Sequence, residues 1–275
     1  MARSIRILKG VALVTLGLQL GCASEPGATE NEASAQEAFK RPTKKPTVVL
    51  VHGAWADALG WQDVIERLQH DGFPVLAVEI PLSSFGVDVA ATKRALDAAG
   101  TAGRPLVVAA HSFGGAVVTQ AAAGNSHVKA LVYINAFVPD LGETLLDLAD
   151  KFPRTPVFDA FVLDSTGLVT IDPEKFQDVF CADLADRQSA ILAAAQKPLA
   201  FSSFTETLTE AAWKTLPSWY LVGKQDRTIS PDLQRFMAKR IHARVTEIDS
   251  SHVSFISHPS VVVRLIEQAA TAAVR

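Results

Sequence analysis

The sequence predicts an α/β protein, a mostly parallel central sheet flanked by helices, folded as one domain over residues 46–275. Three observations carry this. Short strand-like runs, most of them apolar, recur at 47–51, 74–78, 106–110, 130–135, 218–222 and 245–248. Such unbroken apolar strands suit a parallel sheet, whose two faces are both covered. Helical patterns fill the intervals, among them 61–69, 87–99 and 115–123, and the alternation reads as strand–helix–strand units. Length and composition agree, because 275 residues of which 48% are hydrophobic can bury one large core. No internal repeat points to a solenoid or a propeller.

Taken from the N-terminus, the first element is a processing signal. Arg3, Arg6 and Lys9 precede an apolar run over 10–20, too short to span a bilayer and of the length of a secretion signal. LQLGC at 18–22 follows and resembles a bacterial lipoprotein cleavage box with Cys22 as the lipidated residue, although Gln19 departs from the usual aliphatic residue. Ordinary cleavage near Ala23 is the alternative. Residues 23–45, rich in Glu, Ala, Ser, Thr, Pro and Lys, read as a disordered tether. The expected organisation is a signal segment over 1–22, a linker over 23–45 and the folded domain over 46–275. The protein is then exported, attached to a membrane through Cys22 or, if not lipidated, periplasmic or secreted.

Composition narrows the chemistry. Cys22 and Cys181 are the two cysteines, so no disulfide is expected, and Cys181 in VFCADL reads as a small buried side chain. The seven histidines show no metal-ligand spacing, and no metal is expected. A net charge of −3 with no basic stripe argues against nucleic acid as a partner.

The third strand leads into the most informative segment, LVVAAHSFGGAVVTQAAA over 106–123. An apolar strand enters, a small-residue helix leaves, and Ser112 sits at the hinge. A strand that reverses sharply into a helix strains its apex residue, so the positions two before and two after must be small. Ala110 and Gly114 fill them, giving AxSxG where GxSxG is the common form. The Phe113 N–H would open the helix, where the positive helix end favours a developing oxyanion. Earlier, PTVVLVHGAW over 46–55 is a strand that stops at His52 and Gly53 and opens into a loop. His52, beside a loop glycine, reads as a structural hydrogen-bonding residue.

Two later segments supply an acid and a base. The strand over 218–222 is followed by Asp226, in a loop before a helix with Ser230 at its cap and Pro231 at its first position. After the last strand comes Asp249, then Ser250, Ser251 and His252, and a C-terminal helix from about Pro259 with His258 as its cap. Asp249 is too near His252 in sequence to orient its ring across a loop, so Asp226 is the better acid. The order Ser112, Asp226, His252 differs from both common serine protease orders.

Through VHGAW, AHSFGG, GKQDR, SSHVSF and that order, the chain resembles the α/β-hydrolase fold superfamily from Thr47 to its final helix. It is most similar to the small single-domain esterase-like group that includes plant methylesterases and hydroxynitrile lyases. The resemblance implies a catalytic triad of Ser112, Asp226 and His252, and an oxyanion hole from the backbone N–H groups of Ala54 and Phe113. It also implies a helical cap over about 139–214, where no convincing strand is seen. That stretch carries Phe152, Phe158, Phe161, Phe176, Phe180, Phe201, Phe204 and Trp213, which together suggest an apolar pocket. Asp140, Glu143 and Asp147 read as solvated helix-start residues.

The implied activity is that of a serine carboxylic-ester hydrolase, without cofactor, acting on small or medium apolar esters through an acyl-enzyme. A serine at the elbow argues against the aspartate-nucleophile chemistry of dehalogenases and epoxide hydrolases. Hydroxynitrile lyase, lactonase, thioesterase and carbon–carbon bond hydrolase activities share the same site. A non-catalytic ligand-binding protein on a hydrolase scaffold is the alternative from another class.

Overall fold

The computed structural model describes residues 44–274. The expected signal segment, Cys22 with its lipidation, and the expected tether up to residue 43 lie outside the described residues. Thr47–Val51 form β1, and all five residues are buried. With both faces covered there is no solvent side to impose an alternation, which is why the run is continuous. The strands that follow are β2 (Val75–Val78), β3 (Leu106–His111), β4 (Val128–Ile134), β5 (Phe161–Leu163), β6 (Leu168–Ile171), β7 (Leu199–Ala200), β8 (Ser218–Gly223) and β9 (Arg244–Ile248). Six of them pair in the order β2-β1-β3-β4-β8-β9, every pair parallel. The strand order reverses beside β1, since β2 lies on one side of it and β3 on the other. Ligands of such sheets bind outside the C-terminal strand ends near that reversal.

The helices are α1 (Gln62–His70), α2 (Phe85–Gly100), α3 (Phe113–Ala121), α4 (Leu145–Ala149), α5 (Phe176–Phe180), α6 (Asp186–Ala195), α7 (Pro231–Arg240), α8 (Ser254–Ser257) and α9 (Pro259–Ala273). α2 starts where the Ser84 hydroxyl accepts from Val87 N–H, and it packs on β1, β2 and β3 and against α3. α9 buries Val262, Val263, Ile266, Ala269 and Ala270, one stripe at helical spacing, against β3, β4, β8 and α1. Each fully buried Val or Ile in that stripe stabilises the fold by about 1.5–3 kcal/mol relative to exposure.

Several expectations need correction. The insertion between β4 and β8 is not purely helical, because β5, β6 and β7 form a small antiparallel sheet within it. These strands have three, four and two residues, too short to show a period, and Val162 and Leu163 are exposed. Ser230 and His258 do stand at helix N-caps, yet neither side chain caps its helix. His258 Nδ1 instead pairs with the Ser257 hydroxyl at 2.8 Å. Asp147 is a helix-start residue, closing a capping box with Thr144. Glu143 is not simply solvated, since it holds Arg240 at 2.8 Å and Lys151 at 3.6 Å. Asp140 pairs with Lys214 at 2.7 Å.

Candidate active site

Three strand ends deliver the three predicted side chains to one place. Ser112 follows β3 directly, Asp226 lies in the turn after β8, and His252 lies between β9 and α8. Ser112 has φ 53 and ψ −125, a backbone conformation that an L-residue keeps only when its surroundings enforce it. The enforcement is visible on both sides of the turn. A Cβ on Gly114 would stand 2.4 Å from the His52 carbonyl oxygen, and one on Gly53 would stand 2.7 Å from Ser112 Cβ. Ala110, fully buried in β3 and paired with Val51 and Tyr133, fits the place where glycine is common.

The hydrogen bonds are continuous from serine to carboxylate. His252 Nε2 lies 2.8 Å from Ser112 Oγ, and His252 Nδ1 lies 2.8 Å from Asp226 Oδ2. With a carboxylate as the acceptor at Nδ1, that nitrogen carries the proton and Nε2 accepts from the serine hydroxyl. All three residues are buried, Ser112 at 2%, Asp226 at 4% and His252 at 0% exposure. Asp226 Oδ1 accepts from Thr228 N–H at 2.8 Å and Ile229 N–H at 2.9 Å. Its Oδ2 accepts from Asn135 Nδ2 at 3.0 Å and Gln234 Nε2 at 2.7 Å besides the histidine. Asp249 is exposed and pairs with Lys224 at 2.9 Å, and it is Asp226 that meets the His252 ring.

Asn135, Gln234, His111 and Asp183 were not singled out by sequence reasoning. Asn135, with φ 45 at the end of β4, also donates to the Ser251 carbonyl at 3.2 Å. Gln234, on α7, is fully buried. His111 Nε2 lies 3.0 Å from the His252 carbonyl oxygen and donates to it. Burial, reinforced by neighbouring His252, holds the His111 pKa well below the usual histidine range, so its ring is neutral. Asp183, in the insertion, accepts from Ser251 N–H at 3.1 Å and from the Ser251 hydroxyl, fixing the residue before His252. The Asn, Gln and Asp side chains could have been found only through the contacts they make across the fold. His111 stood beside the elbow serine in AHSFGG.

His52 has the structural role expected of it. Its Nδ1 donates to the Gly53 carbonyl at 2.9 Å and its Nε2 accepts from Ile80 N–H at 3.1 Å. Burial lowers its pKa, in keeping with that neutral tautomer. The loop it begins places Ala54 beside the serine. Ala54 and Phe113 are both buried and line one pocket with Ser112. Among the described residues neither backbone N–H donates to a protein acceptor. Trp55, at φ 57, donates its indole N–H to the Val169 carbonyl of β6 at 2.9 Å, which ties this loop to the insertion.

The pocket is walled by apolar side chains, including Phe137, Leu145, Val157, Phe158, Phe161 and Phe204, and encloses about 400 Å³ of empty space with its mouth included. Of the aromatic residues expected to form it, Phe158, Phe161 and Phe204 do so. Phe152 packs on Phe236 of α7, Phe201 on Phe204, and Trp213 donates to the Pro139 carbonyl, and these three do not line it. Cys181 is buried and shares a hydrogen bond with Ser189, as a small core residue would. Among the described residues no group of three or more His, Cys, Asp or Glu is placed to hold a metal ion.

Parallel sheet, strained elbow serine and capping insertion together define a class. Residues 48–265 match the alpha/beta hydrolase family, and the chain belongs to it. An alpha/beta hydrolase, nvfD, from Aspergillus novofumigatus is 27% identical over 84% of this chain and 98% of its own. Methylesterase 2 of Arabidopsis thaliana is 25% identical over 80% of this chain and 94% of its own. Among solved structures, an extracellular alpha/beta-hydrolase from a Paenibacillus species superposes with a TM-score of 0.68 at 21% identity, covering 82% of this chain and 98% of that one. The chain is thus a member of the alpha/beta hydrolase family whose relatives include an esterase.

Proposed function

We propose that this hydrolase cleaves carboxylic esters of small or medium apolar acids through an acyl-enzyme on Ser112. The observation that carries the reading is the unbroken pair of 2.8 Å contacts from Ser112 Oγ through His252 to Asp226, at the floor of an apolar pocket. In the first half, Ser112 Oγ bonds to the ester carbonyl carbon while its proton passes to His252 Nε2, and Asp226 stabilises the imidazolium. Ala54 and Phe113 N–H receive the oxyanion, each donor contributing about 10² to 10³ in rate. The carbon–oxygen bond to the alcohol then breaks, and the departing oxygen takes the proton from His252. In the second half, water gives a proton to His252, attacks the acyl carbon and releases the acid, and the proton returns to Ser112. No step calls for a cofactor.

A fluorophosphonate probe followed by peptide mapping, with turnover of p-nitrophenyl esters of rising chain length, tests this. A single adduct on Ser112 is expected, with turnover abolished in Ser112→Ala. Full activity in that variant would overturn the assignment. For localisation we propose export with lipidation at Cys22, resting on the basic start, the 10–20 apolar run and LQLGC. Detergent-phase partitioning of the full-length chain is expected to be lost in Cys22→Ser, and partitioning that survives the change would remove the acyl anchor.

A further inference from the structure

A second groove opens on the far side of Trp55. It runs between the loop after β1 with the start of α1, the α5 and α6 helices of the insertion, and α8. Measured the same way as the pocket on Ser112, it encloses about 1110 Å³ of empty space. Trp55 lines both spaces, and its ring meets Phe180 edge-on at 6.0 Å. Phe180 in turn stands 5.0 Å from the His252 ring.

The two spaces share Trp55 and are otherwise lined by different residues. The pocket takes its walls from Phe137 in the loop after β4, the 145–161 segment, Phe204 and Thr228 and includes nothing from 250–256, whereas the groove includes Val253, next to His252, and Phe180. In ester cleavage the departing oxygen must lie against the histidine that protonates it, so alcohol and acyl parts diverge from the carbonyl carbon. Resting on the hydrolase reading above, we infer that the groove receives the alcohol part of the substrate, and that this part is bulky, apolar and uncharged or cationic. Leu59 and Ile191, 75% and 59% exposed, provide apolar surface on its two banks, and Asp57 and Asp63 bring negative charge while no lysine or arginine lines it. The acyl pocket is small and apolar, so the enzyme selects a modest acyl group on a large alcohol. Trp55 lines both spaces and Phe180, on α5, packs between the Trp55 and His252 rings, so a substrate that spans both spaces must displace this aromatic pair.

The test holds the acyl group fixed and varies the alcohol. kcat/KM is measured on methyl, benzyl, 2-naphthylmethyl and 4-carboxybenzyl butyrate, together with fluorophosphonate labelling of Ser112. In the parent, benzyl and naphthylmethyl esters are expected to exceed the methyl ester, and the 4-carboxybenzyl ester to fall about fivefold below benzyl. Ile191→Glu and Leu59→Glu, both at exposed positions, are expected to lower kcat/KM for the two bulky uncharged esters by about tenfold and to leave the methyl ester within about twofold. Phe180→Ala is expected to raise the ratio of naphthylmethyl to methyl turnover. Asp63→Asn is expected to recover part of the turnover of the carboxylated ester. Labelled, active protein in which the surface variants change all esters equally, or none, overturns the inference and leaves the hydrolase reading standing. Sensitivity of these variants to acyl length instead of alcohol size overturns it as well, by making the groove the acyl side. Absence of both adduct and hydrolysis overturns the hydrolase reading and the inference with it.

Discussion

Asp226 shows how much of one side chain's environment is built by residues from other elements. Five donors converge on its two oxygens, two of them backbone N–H groups in its own turn and the others from Asn135, Gln234 and His252. Such a set fixes both the position and the rotation of the carboxyl group, and through it the tautomer of His252. An amide at 226 would aim an N–H at one of those donors and release the ring. Asp226→Asn is therefore expected to lower ester turnover by about 10⁴, the loss known for the same change in a serine protease triad. Fluorophosphonate labelling would slow in parallel. Retained turnover would remove Asp226 from the mechanism. The sequence made Asp226 legible because it lies just past a strand end. Asn135 and Gln234 were silent because what marks them is a contact across 91 and 8 residues, with no spacing to betray it.

At the scale of elements, the turn between β3 and α3 depends on what it leaves out. Gly114 meets backbone atoms of His52 and Val51, which cannot swing away as a side-chain tip could. Gly114→Ala is expected to cost about 1–3 kcal/mol in urea unfolding and to remove most ester turnover, because the elbow must shift to admit the methyl group. Stability within about 0.3 kcal/mol of the parent would show that the crowding is relieved elsewhere. The small residues of this elbow were legible in the sequence, as were the six strands of the sheet, because the inner strands are continuous apolar runs and even the edge strand β9, RVTEI, keeps β-branched residues. The insertion was less legible. Its strands are two to four residues long and partly exposed, and they hold their place by ties to the body: Trp55 to Val169, Ala200 N–H to the Leu82 carbonyl at 2.8 Å, and Lys197 to Glu79 and the Ile80 carbonyl. Segments stabilised by contacts so remote carry little local pattern for a sequence reading to find.

For the molecule as a whole, the seam between body and insertion contains a charge whose burial makes stability depend on pH. Asp88 on α2 is fully buried, its Oδ1 accepts from Leu82 N–H at 2.7 Å, and its Oδ2 has no partner among the described residues. Burial pushes its pKa from 3.8 up to about 6, with Glu206 adding to the rise and the Leu82 N–H and Lys197 opposing it. The sign follows from proton counting. Between pH 3.8 and about 6 the folded state holds a proton that the unfolded chain has released, so stability falls as pH rises through that window. Below it the protonated carboxyl imposes no charge penalty; above it the full penalty, at most about 3 kcal/mol, is present. Asp88→Asn has nothing to titrate there. Urea unfolding at pH 4 and pH 7.5 is expected to show the variant gaining on the parent by about 1–3 kcal/mol over that interval. The change should be smooth and centred near pH 5, midway between 3.8 and about 6, superposed on the common background of the other carboxylates. A stability difference between the two proteins that stays constant with pH would mean that Asp88 ionises as readily in the fold as in the unfolded chain. Its unpartnered oxygen would then have found water or a donor at the seam.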